Sequence, residues 1–507
     1  MQPNCLRDVA VWIAISLACL ITLAGCAHPS RAENQLVIRW NSTIAINKTI
    51  PTLQLVVNPR FQPGQPLGAA AFKAIASLAP DSMRFQAWFP YPRLAVAELQ
   101  PPTRESTSWD FSLIDPPVSE FMTATAGHQT VTSFTTIPQW MYVTETPVAY
   151  PVDPSQEQWN YEQGTQLRDP TCTELAAYYQ RLAGWYVNGG FTDENGVWHE
   201  SGHHFQIPVW EVLNEPDSEH STTAEDYTRE YDAIVEAVQN ISPDTRFMGL
   251  SLAQPASHLD LVQYFLNPSN HLPGIPIDYI SYHFYAVPGP QETIDQWQYS
   301  LFQQVDQFLS TVAAVETIRM QLAPTTRTDI DELGSILPTD APPAVGVTPP
   351  AAWWNLSAAM YAYTYVKLAR MQIDVVGASQ LVGFPTQYQT LSMMDWTTNQ
   401  PNARFWALKL LKDSFHLNDH MVETDLSPLT AFDVEAQAFI TTAGRKLLLV
   451  NKRNRAIDVP LPDAENITAL IVDAQSGESP ARTAVPSNGK LTLQPFAVAV
   501  ASWNSAR

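Results

Sequence analysis

The sequence predicts an α/β fold, a (β/α)8 TIM barrel joined to a smaller antiparallel β domain that is β-sandwich-like. The chain has 507 residues, 45% of them apolar and 15% charged, which is enough for a barrel core and a second core. From residue 52 to 415, short apolar runs alternate with longer runs of helical period, as in parallel strands joined by helices. After Leu417, short alternating runs between turn residues indicate an antiparallel sheet.

Eight apolar runs are each expected to form one barrel strand, the number that a closed barrel requires. In chain order they are 52–58, 82–89, 129–137, 205–215, 246–253, 277–286, 326–334 and 375–384. Helices are predicted at 69–79, 113–125, 174–187, 224–240, 292–315, 353–371 and 402–415. Thr222 and Thr223 are both candidate caps of the helix at 224–240, because either hydroxyl could accept from its first turn.

The domain organisation follows from these runs. Residues 1–26 are predicted to be a signal peptide, 27–50 an N-terminal segment, 51–417 the barrel and 418–507 the C-terminal β domain. Strands near 35–46 are candidates to join that β domain. The proline-rich stretch 338–350 predicts a loop over the barrel mouth.

The N-terminus indicates export. Residues 9–23 are apolar and uncharged, a run too short for a confident membrane span, and they end in Leu23-Ala24-Gly25-Cys26. That ending resembles the lipobox of bacterial lipoproteins, which implies a lipidated Cys26 and a membrane tether at the cell envelope. The residues before the run carry Arg7 beside Asp8, a weak positive charge, so ordinary secretion is the alternative.

Charge and cysteine content exclude several kinds of partner and site. The net charge of −22 and the pI of about 4.8 oppose binding to phosphate backbones, so no nucleic-acid partner is expected. With Cys26 and Cys172 as the cysteines beyond the signal, no disulfide framework is predicted. No cluster with metal-ligand spacing is visible, so neither a metal nor a cofactor is expected.

The end of the fourth strand carries the most informative motif, Trp-Glu-Val-Leu-Asn-Glu-Pro-Asp at 210–217. Pro216 stops the strand and leaves Asn214 and Glu215 at its C-terminal tip, where barrels build their active sites. The octet resembles the acid/base motif of retaining glycoside hydrolases of the large (β/α)8-barrel clan. The resemblance implies that Glu215 is the proton donor and that Asn214 holds the sugar beside it.

The seventh strand ends in a second acidic cluster, 328–334, in which Glu332 stands where that clan has its nucleophile. A retaining glycosidase needs two carboxyl groups about 5–5.5 Å apart. Asp329 and Asp331 are rivals, but strand alternation predicts that Asp331 faces away from Glu332, toward the helices or a loop. The alternative is an acidic strand end exposed to solvent.

Four further residues are candidates for substrate binding or for supporting the nucleophile. His283 and Tyr285 share one face of the sixth strand, and the clan has a His or Tyr there that bonds the nucleophile. Arg84 on the second strand would keep the nucleophile ionised through its opposite charge. Trp140 after the third strand is a candidate wall for a sugar ring. Structural roles in the core or in an ion pair are the alternatives for these residues.

Taken together, these segments resemble glycoside hydrolase family 39, which contains β-xylosidases and α-L-iduronidases. The resemblance rests on 109–115, Gly127-His128, Ile137-Pro138 and 209–217. This chain departs from the family at Leu213, where Trp is usual, and at the eighth strand, which has Phe384-Pro385 and a later Trp396 instead of a clear terminal Trp.

The resemblance implies a retaining glycoside hydrolase that acts on an oligosaccharide, polysaccharide or glycoside by double displacement, with Glu215 as acid/base and Glu332 as nucleophile. Two other classes stay open. One is a non-catalytic, cell-surface carbohydrate-binding protein on a glycosidase scaffold. The other is an endo-hydrolase or transglycosidase of an exopolysaccharide. The sequence favours no particular sugar.

Overall fold

The computed structural model of the chain describes residues 36–161, 163–340, 348–383, 388–395 and 397–503. The predicted export signal with Cys26 lies outside these residues, as do Phe384, Pro385, Trp396 and the middle of the predicted 338–350 loop. Within the described part of the chain, no helix has the length and apolar character needed to cross a membrane.

Eight parallel strands close into a barrel, so the predicted fold class is confirmed. In chain order they are Ile50–Val56, Ser82–Ala87, Gln129–Phe134, Val209–Glu211, Arg246–Leu252, Tyr279–Ala286, Arg327–Ser335 and Val375–Ala378. Each strand pairs with the next one along the chain, and the eighth pairs with the first. The fourth strand is far shorter than the predicted 205–215. It begins after Pro208, which has no N–H with which to extend the ladder, and the positive φ of Leu213 turns the chain soon after its end.

A helix follows each barrel strand and covers the outside of the barrel. The eight helices are Pro66–Leu78, Asp115–Ala124, Thr173–Val187, Ala224–Gln239, Leu259–Phe265, Ile294–Leu322, Ala352–Arg370 and Ala403–Ser414, with a short additional helix at Pro92–Ala95. The sequence did not predict Leu259–Phe265. Of the two candidate caps of the fourth helix, Thr223 accepts from the backbone N–H of Asp226, as a capping Thr should.

The N-terminal end of the barrel is filled by a small apolar cluster. Val131, Val209, Met248 and Tyr279 pack together there, and Tyr279 accepts hydrogen bonds through its hydroxyl from Arg246 at 2.9 Å and from Arg327 at 2.7 Å. This end is therefore a packed core. The opposite end, where the strands terminate, is left for polar side chains.

The second domain is a seven-stranded antiparallel sheet with a two-stranded sheet packed against it. The order of the larger sheet is Leu36–Ile46, His420–Leu426, Val434–Thr441, Gly444–Asn451, Val498–Trp503, Ile467–Val472 and Arg482–Ala484. The smaller sheet pairs Ile457–Pro460 with Lys490–Leu493, and Pro428–Asp433 is a short helix. Side chains of both sheets share one apolar core, and the N-terminal strand joins the larger sheet at its edge.

Two short pairs of strands complete the fold outside the barrel and the β domain. They are Gly190–Thr192 with Trp198–Glu200, and Met394–Asp395 with Gln400–Pro401.

Candidate active site

A cavity of about 220 Å³ lies at the C-terminal end of the barrel strands. Its lining contains two carboxylates, four side-chain amides, four aromatic rings and three aliphatic side chains. They belong to Glu215, Glu332, Gln54, Gln86, Asn214, Gln380, Trp88, Trp159, Tyr285, Tyr388, Val56, Ile336 and Leu391.

Glu215 reaches the cavity through an unusual turn after the fourth strand. Leu213 has a φ of 63° and Glu215 has a φ of 41°, both in the left-handed region that non-glycine residues rarely adopt. The Glu215 N–H donates to the carbonyl of Ser251 at 2.9 Å, which anchors the turn to the fifth strand. Such strained backbone is common where a side chain must be aimed at a ligand.

The Glu332 carboxylate lies opposite, held by two donors. Arg84 donates from Nη1 to Oε1 at 2.5 Å, and the Tyr285 hydroxyl donates to Oε2 at 2.5 Å. Burial and the Glu332 charge raise the pKa of Tyr285 well above its ordinary value, so this hydroxyl stays protonated as a donor. Three of the sequence-predicted site residues are therefore in direct contact.

His283 sits between the two carboxylates. Its Nδ1 is 2.8 Å from Glu215 Oε1 and 3.6 Å from Glu332 Oε2, and its Nε2 is 2.9 Å from Ser251 Oγ. Burial opposes the imidazolium, but the charges of Glu332 and Asp331 outweigh it and raise the pKa of His283 well above its ordinary value. His283 is therefore a buried cation that donates to Glu215.

Asp331 does not face away from Glu332, so the expectation from strand alternation is wrong. The seventh strand has an irregular register here, in which Ile330 pairs with Val376 and Leu333 with Ala378. Two residues of the seventh strand, Asp331 and Glu332, thus lie opposite one residue of the eighth, Gly377. This two-to-one pairing is a β-bulge. A Cβ at Gly377 would lie 2.8 Å from the Asp331 carbonyl oxygen, so the absence of a side chain permits this close approach.

The bulge turns Asp331 into the barrel interior, beneath the cavity. Its Oδ2 is 3.3 Å from Arg84 Nε and 3.5 Å from His283 Nε2. Burial raises the proton affinity of Asp331, but the charges of Arg84 and His283 overcome it and lower the pKa of this carboxyl below its ordinary value. Asp331 is therefore the ionised partner of both buried cations.

Glu211 and Asp329 complete a buried acidic layer beneath the cavity. Arg84 Nε donates to Glu211 Oε2 at 2.6 Å, and Ser281 Oγ donates to Oε1 at 2.7 Å. Burial raises the pKa of Glu211 to about 7 despite Arg84, and burial and the Asp331 charge raise the pKa of Asp329 well above its ordinary value. Glu211 was not among the sequence-predicted site residues, although a carboxylate inside an apolar strand is a signal of a buried functional group.

Asn214 also occupies the place that the motif predicts. Its Oδ1 accepts from Arg84 Nη2 at 2.9 Å, and its Nδ2 donates to Glu219 Oε1 at 2.8 Å. These two bonds fix the orientation of the amide at the cavity wall. Asn214, Glu215, Glu332, Arg84, His283 and Tyr285 are thus the sequence-predicted residues that the structure brings together.

Trp140 is the sequence-predicted site residue that the structure keeps apart from the cavity. Its indole N–H donates to the Glu98 carbonyl at 2.8 Å, and the Arg168 guanidinium covers its ring at 4.5 Å. The aromatic walls are instead Trp88, Trp159 and Tyr388. The Trp88 and Trp159 rings are 5.5 Å apart at 80°.

These rings and the three glutamines of the lining, Gln54, Gln86 and Gln380, were not predicted from the sequence. Gln54 is opposite Arg84 in the register of the first two strands, so its polar side chain in an apolar run was a usable signal. Trp88 follows a strand end, where alternation no longer fixes the direction of a side chain.

Glu215, His283 and Glu332 are also the group of three potential metal ligands within the described residues, with one donor atom of each within 4.8 Å of the others. A metal would need the neutral imidazole. The carboxylates around His283 favour its protonated form instead, and Nδ1 already bonds Glu215. The arrangement therefore favours proton chemistry over metal binding.

Comparisons with known proteins agree with this architecture. Solved structures with the same fold include an α-L-arabinofuranosidase from Thermotoga maritima, with 13% identity over 92% of this chain and 99% of that one and a TM-score of 0.60. A GH30 endoxylanase from Clostridium papyrosolvens has 12% identity over 93% of this chain and 100% of that one, with a TM-score of 0.53. A glucosidase from Croceicoccus marinus has 13% identity over 94% of this chain and 99% of that one, with a TM-score of 0.56. At these identities the likeness shows the fold.

The sequence comparisons reach less of the chain. Residues 433–501 match the family model of the C-terminal immunoglobulin-like domain of D-apionate lactonase. These residues lie within the β domain described above. No curated protein matches the sequence.

Proposed function

We propose that the protein is a retaining glycoside hydrolase that cleaves an O-glycosidic bond by double displacement, with Glu332 as nucleophile and Glu215 as acid/base. The observation that carries the proposal is the pairing of these two carboxylates in one cavity, with one oxygen of each within 4.8 Å of the other. Retaining enzymes hold their carboxyl groups about 5–5.5 Å apart, whereas inverting enzymes need about 6.5–9.5 Å to admit a water.

The hydrogen bonds of the site suit these two roles. Arg84 and Tyr285 donate to the two oxygens of Glu332, which stabilises the carboxylate that attacks the anomeric carbon. His283 occupies Oε1 of Glu215, which leaves Oε2, bonded by Ser218 Oγ at 3.1 Å, for the departing oxygen.

The reaction proceeds in two displacements. In the first, Glu332 bonds to the anomeric carbon while Glu215 gives its proton to the leaving oxygen. In the second, Glu215 takes a proton from water, whose oxygen attacks the same carbon and releases Glu332. Two inversions at one carbon give net retention.

The experiment that tests the proposal is hydrolysis of a panel of nitrophenyl glycosides. Xylosides, arabinosides, glucosides, galactosides and an iduronide are offered to the protein, with Glu332→Gln beside it. We expect at least one substrate to be cleaved, and the variant to lose on the order of 10⁴-fold or more in kcat. Equal activity of the variant would overturn the assignment of the nucleophile.

Glu215→Ala tests the second role independently. Its activity should fall most on substrates with poor leaving groups, because those need the acid. Azide, which can replace the base in the second step, should restore part of the rate on activated substrates. Loss of activity that is equal for all leaving groups, with no response to azide, would contradict an acid/base role.

A second candidate function comes from the match at 433–501. The protein named in that model is a lactonase, whose substrate is a cyclic ester of a sugar acid. The same cavity would then hydrolyse a sugar lactone. Adding aldonolactones to the panel separates the two functions, because ring opening without glycoside cleavage would favour the lactonase.

A further inference from the structure

The described residues that line the cavity include no side chain that could neutralise an anionic substrate. Among the described lining residues, the charged ones are Glu215 and Glu332, and both are acidic. The internal stretches outside the described residues, 162, 341–347, 384–387 and 396, contain no lysine, arginine or histidine in the sequence. A carboxylate bound here would face the ionised Glu332 and the carboxyl group of Glu215, and like charges at short range repel strongly in a poorly solvated site.

The two cations behind the cavity are already committed to protein partners. Arg84 is 3% exposed, and its guanidinium bonds Glu332 and Glu211 together with several uncharged oxygens. The buried His283 bonds Glu215 and Ser251, with Asp331 beside it. Neither cation lines the cavity, so neither is placed to pair with a substrate carboxylate.

The polar groups that do line the cavity suit uncharged hydroxyls. The oxygen of Gln86 accepts from Arg84 at 3.1 Å, and its nitrogen makes no hydrogen bond to a described residue. The amide of Gln380 is buried and likewise makes none within the described chain. An amide both donates and accepts without net charge, as a sugar hydroxyl does.

The size and the walls of the cavity suit one sugar ring. Its volume of about 220 Å³ is below the roughly 300–1,000 Å³ of pockets for drug-sized ligands. Trp88, Trp159 and Tyr388 provide aromatic surface, against which the C–H faces of a neutral sugar pack.

We propose that the cavity binds one uncharged monosaccharide unit, a pentose or hexose without a carboxylate, and discriminates against uronic acids. This inference rests on the proposed function and deepens it, because it separates the xylosidase-like class of substrate from the iduronidase-like class. The juxtaposition that carries it is a lining of amides, aromatic rings and two catalytic carboxylates in front of two fully engaged cations.

The test compares substrates that differ only in charge. Nitrophenyl glucosides and glucuronides have the same ring and differ in a hydroxymethyl or carboxylate group at C6, and both anomers of each are assayed. We expect kcat/KM for the neutral member to exceed that for the uronide by roughly 100-fold or more. A uronide cleaved as fast as its neutral counterpart would overturn the inference.

A charge-adding variant sharpens the result. Gln380→Lys places an ammonium in the cavity. It should reduce the ratio of kcat/KM for the neutral glycoside to that for the uronide by about 10-fold, mainly by lowering the KM of the uronide. Gln380→Met is the matched control, since it removes the amide and adds no charge. If both variants change the preference equally, charge is not what the cavity selects.

A binding experiment separates failure of this inference from failure of the proposed function. Titration calorimetry with xylose, glucose and glucuronate needs no turnover, and Trp88→Ala reports whether a bound sugar occupies the cavity. Even if no glycoside is cleaved, binding of a neutral sugar that Trp88→Ala weakens by about 3- to 10-fold would support the inference. Glucuronate binding as tightly as glucose would overturn it.

Discussion

Two sets of carboxylates meet at the same end of the barrel, and their surroundings differ. Glu215 and Glu332 line the cavity with 20% and 8% of their side chains exposed. Glu211, Asp329 and Asp331 lie beneath them and are buried. Both sets contact the same two cations, Arg84 and His283.

The difference shows that position, more than residue type, decides what a carboxylate can do. The upper pair can touch a substrate. In the lower set, Asp331 stays ionised and holds Arg84 and His283 in their charged forms, while burial pushes Glu211 and Asp329 toward the neutral form. The lower set therefore controls the charge on the donors that the upper pair needs.

Arg84→Met should have the largest effect, because this side chain joins the two sets. The variant leaves buried carboxylates without their partner, so we expect the free energy of unfolding to fall by about 3–5 kcal/mol and activity to disappear. Urea unfolding followed by circular dichroism measures the first. The exposed Arg104→Met is the control, with an expected change within roughly 0.5 kcal/mol. Equal stability of both variants would show that the two sets are not coupled through Arg84.

Asp331→Asn should be the next largest effect, and it acts on the reaction through His283. Removal of a charge-assisted contact of about 1.5–3 kcal/mol predicts a loss of roughly 10- to 100-fold in kcat. Since Asp331 raises the pKa of His283, the alkaline limb of the pH–rate profile should also move to lower pH.

Asp329→Asn is the matched control for that variant. Burial already favours the neutral carboxyl of Asp329, and an amide of the same shape should change kcat by less than about 3-fold. A larger loss of kcat in Asp329→Asn than in Asp331→Asn would contradict the assignment of Asp331 as the ionised carboxylate and Asp329 as the neutral one.

The stability of the protein should decrease as pH rises toward neutrality, and Glu211 is one of the groups responsible. Its pKa is about 7 in the folded chain and near 4.3 in an unfolded one, so between these values the folded state holds the extra proton. The free energy of unfolding should fall by about 2–3 kcal/mol from pH 5 to 8 on this account. His283 acts in the same direction, because the stability linked to its raised pKa is also lost as pH rises.

Glu211→Gln removes one titrating group and should reduce this pH dependence in urea unfolding at several pH values. Glu98 and Glu230, whose pKa values burial raises to about 8, keep part of it. Glu225→Gln, at an exposed helix position, should leave the slope unchanged. A slope that is the same in the native protein and in Glu211→Gln would contradict the raised pKa of Glu211.

The smallest effect concerns the aromatic walls. Trp88→Ala should raise KM by about 3- to 10-fold, the value of one aromatic contact. Trp140→Ala should leave KM unchanged and lower stability by about 2 kcal/mol, since its ring supports Arg168 and its N–H bonds Glu98. A raised KM in Trp140→Ala with an unchanged KM in Trp88→Ala would instead show that Trp140 contacts the sugar.

The sequence predicted the upper pair better than the lower set, for a physical reason. Parallel strands bring their C-terminal tips to one rim, so motifs at the ends of the fourth and seventh strands predicted that Glu215 and Glu332 meet. Asp331 was misplaced because alternation assumes a regular strand, and the bulge opposite Gly377 breaks it. The pattern of residues in the seventh strand did not indicate this bulge.

The barrel and seven of its eight helices were predicted from apolar periodicity, but the short helix Leu259–Phe265, the element ends and the loop directions were not. The fourth strand was expected to span eleven residues and has three, because the ladder does not extend back through Pro208 and the backbone turns at Leu213. Trp88, Trp159 and Tyr388 lie beyond strand ends, where their directions depend on tertiary contacts. Which aromatic rings line the cavity, and that Trp140 does not, therefore became clear only from the structure.

Trapping the glycosyl-enzyme tests directly whether Glu332 is the nucleophile. A 2-deoxy-2-fluoro glycoside of the sugar that the protein releases, with an activated leaving group, slows the second displacement, and mass spectrometry of the digested protein locates the bound sugar. We expect one added sugar per chain, on Glu332. A label on Asp331 or Glu211, or turnover with inversion at the anomeric carbon, would contradict it.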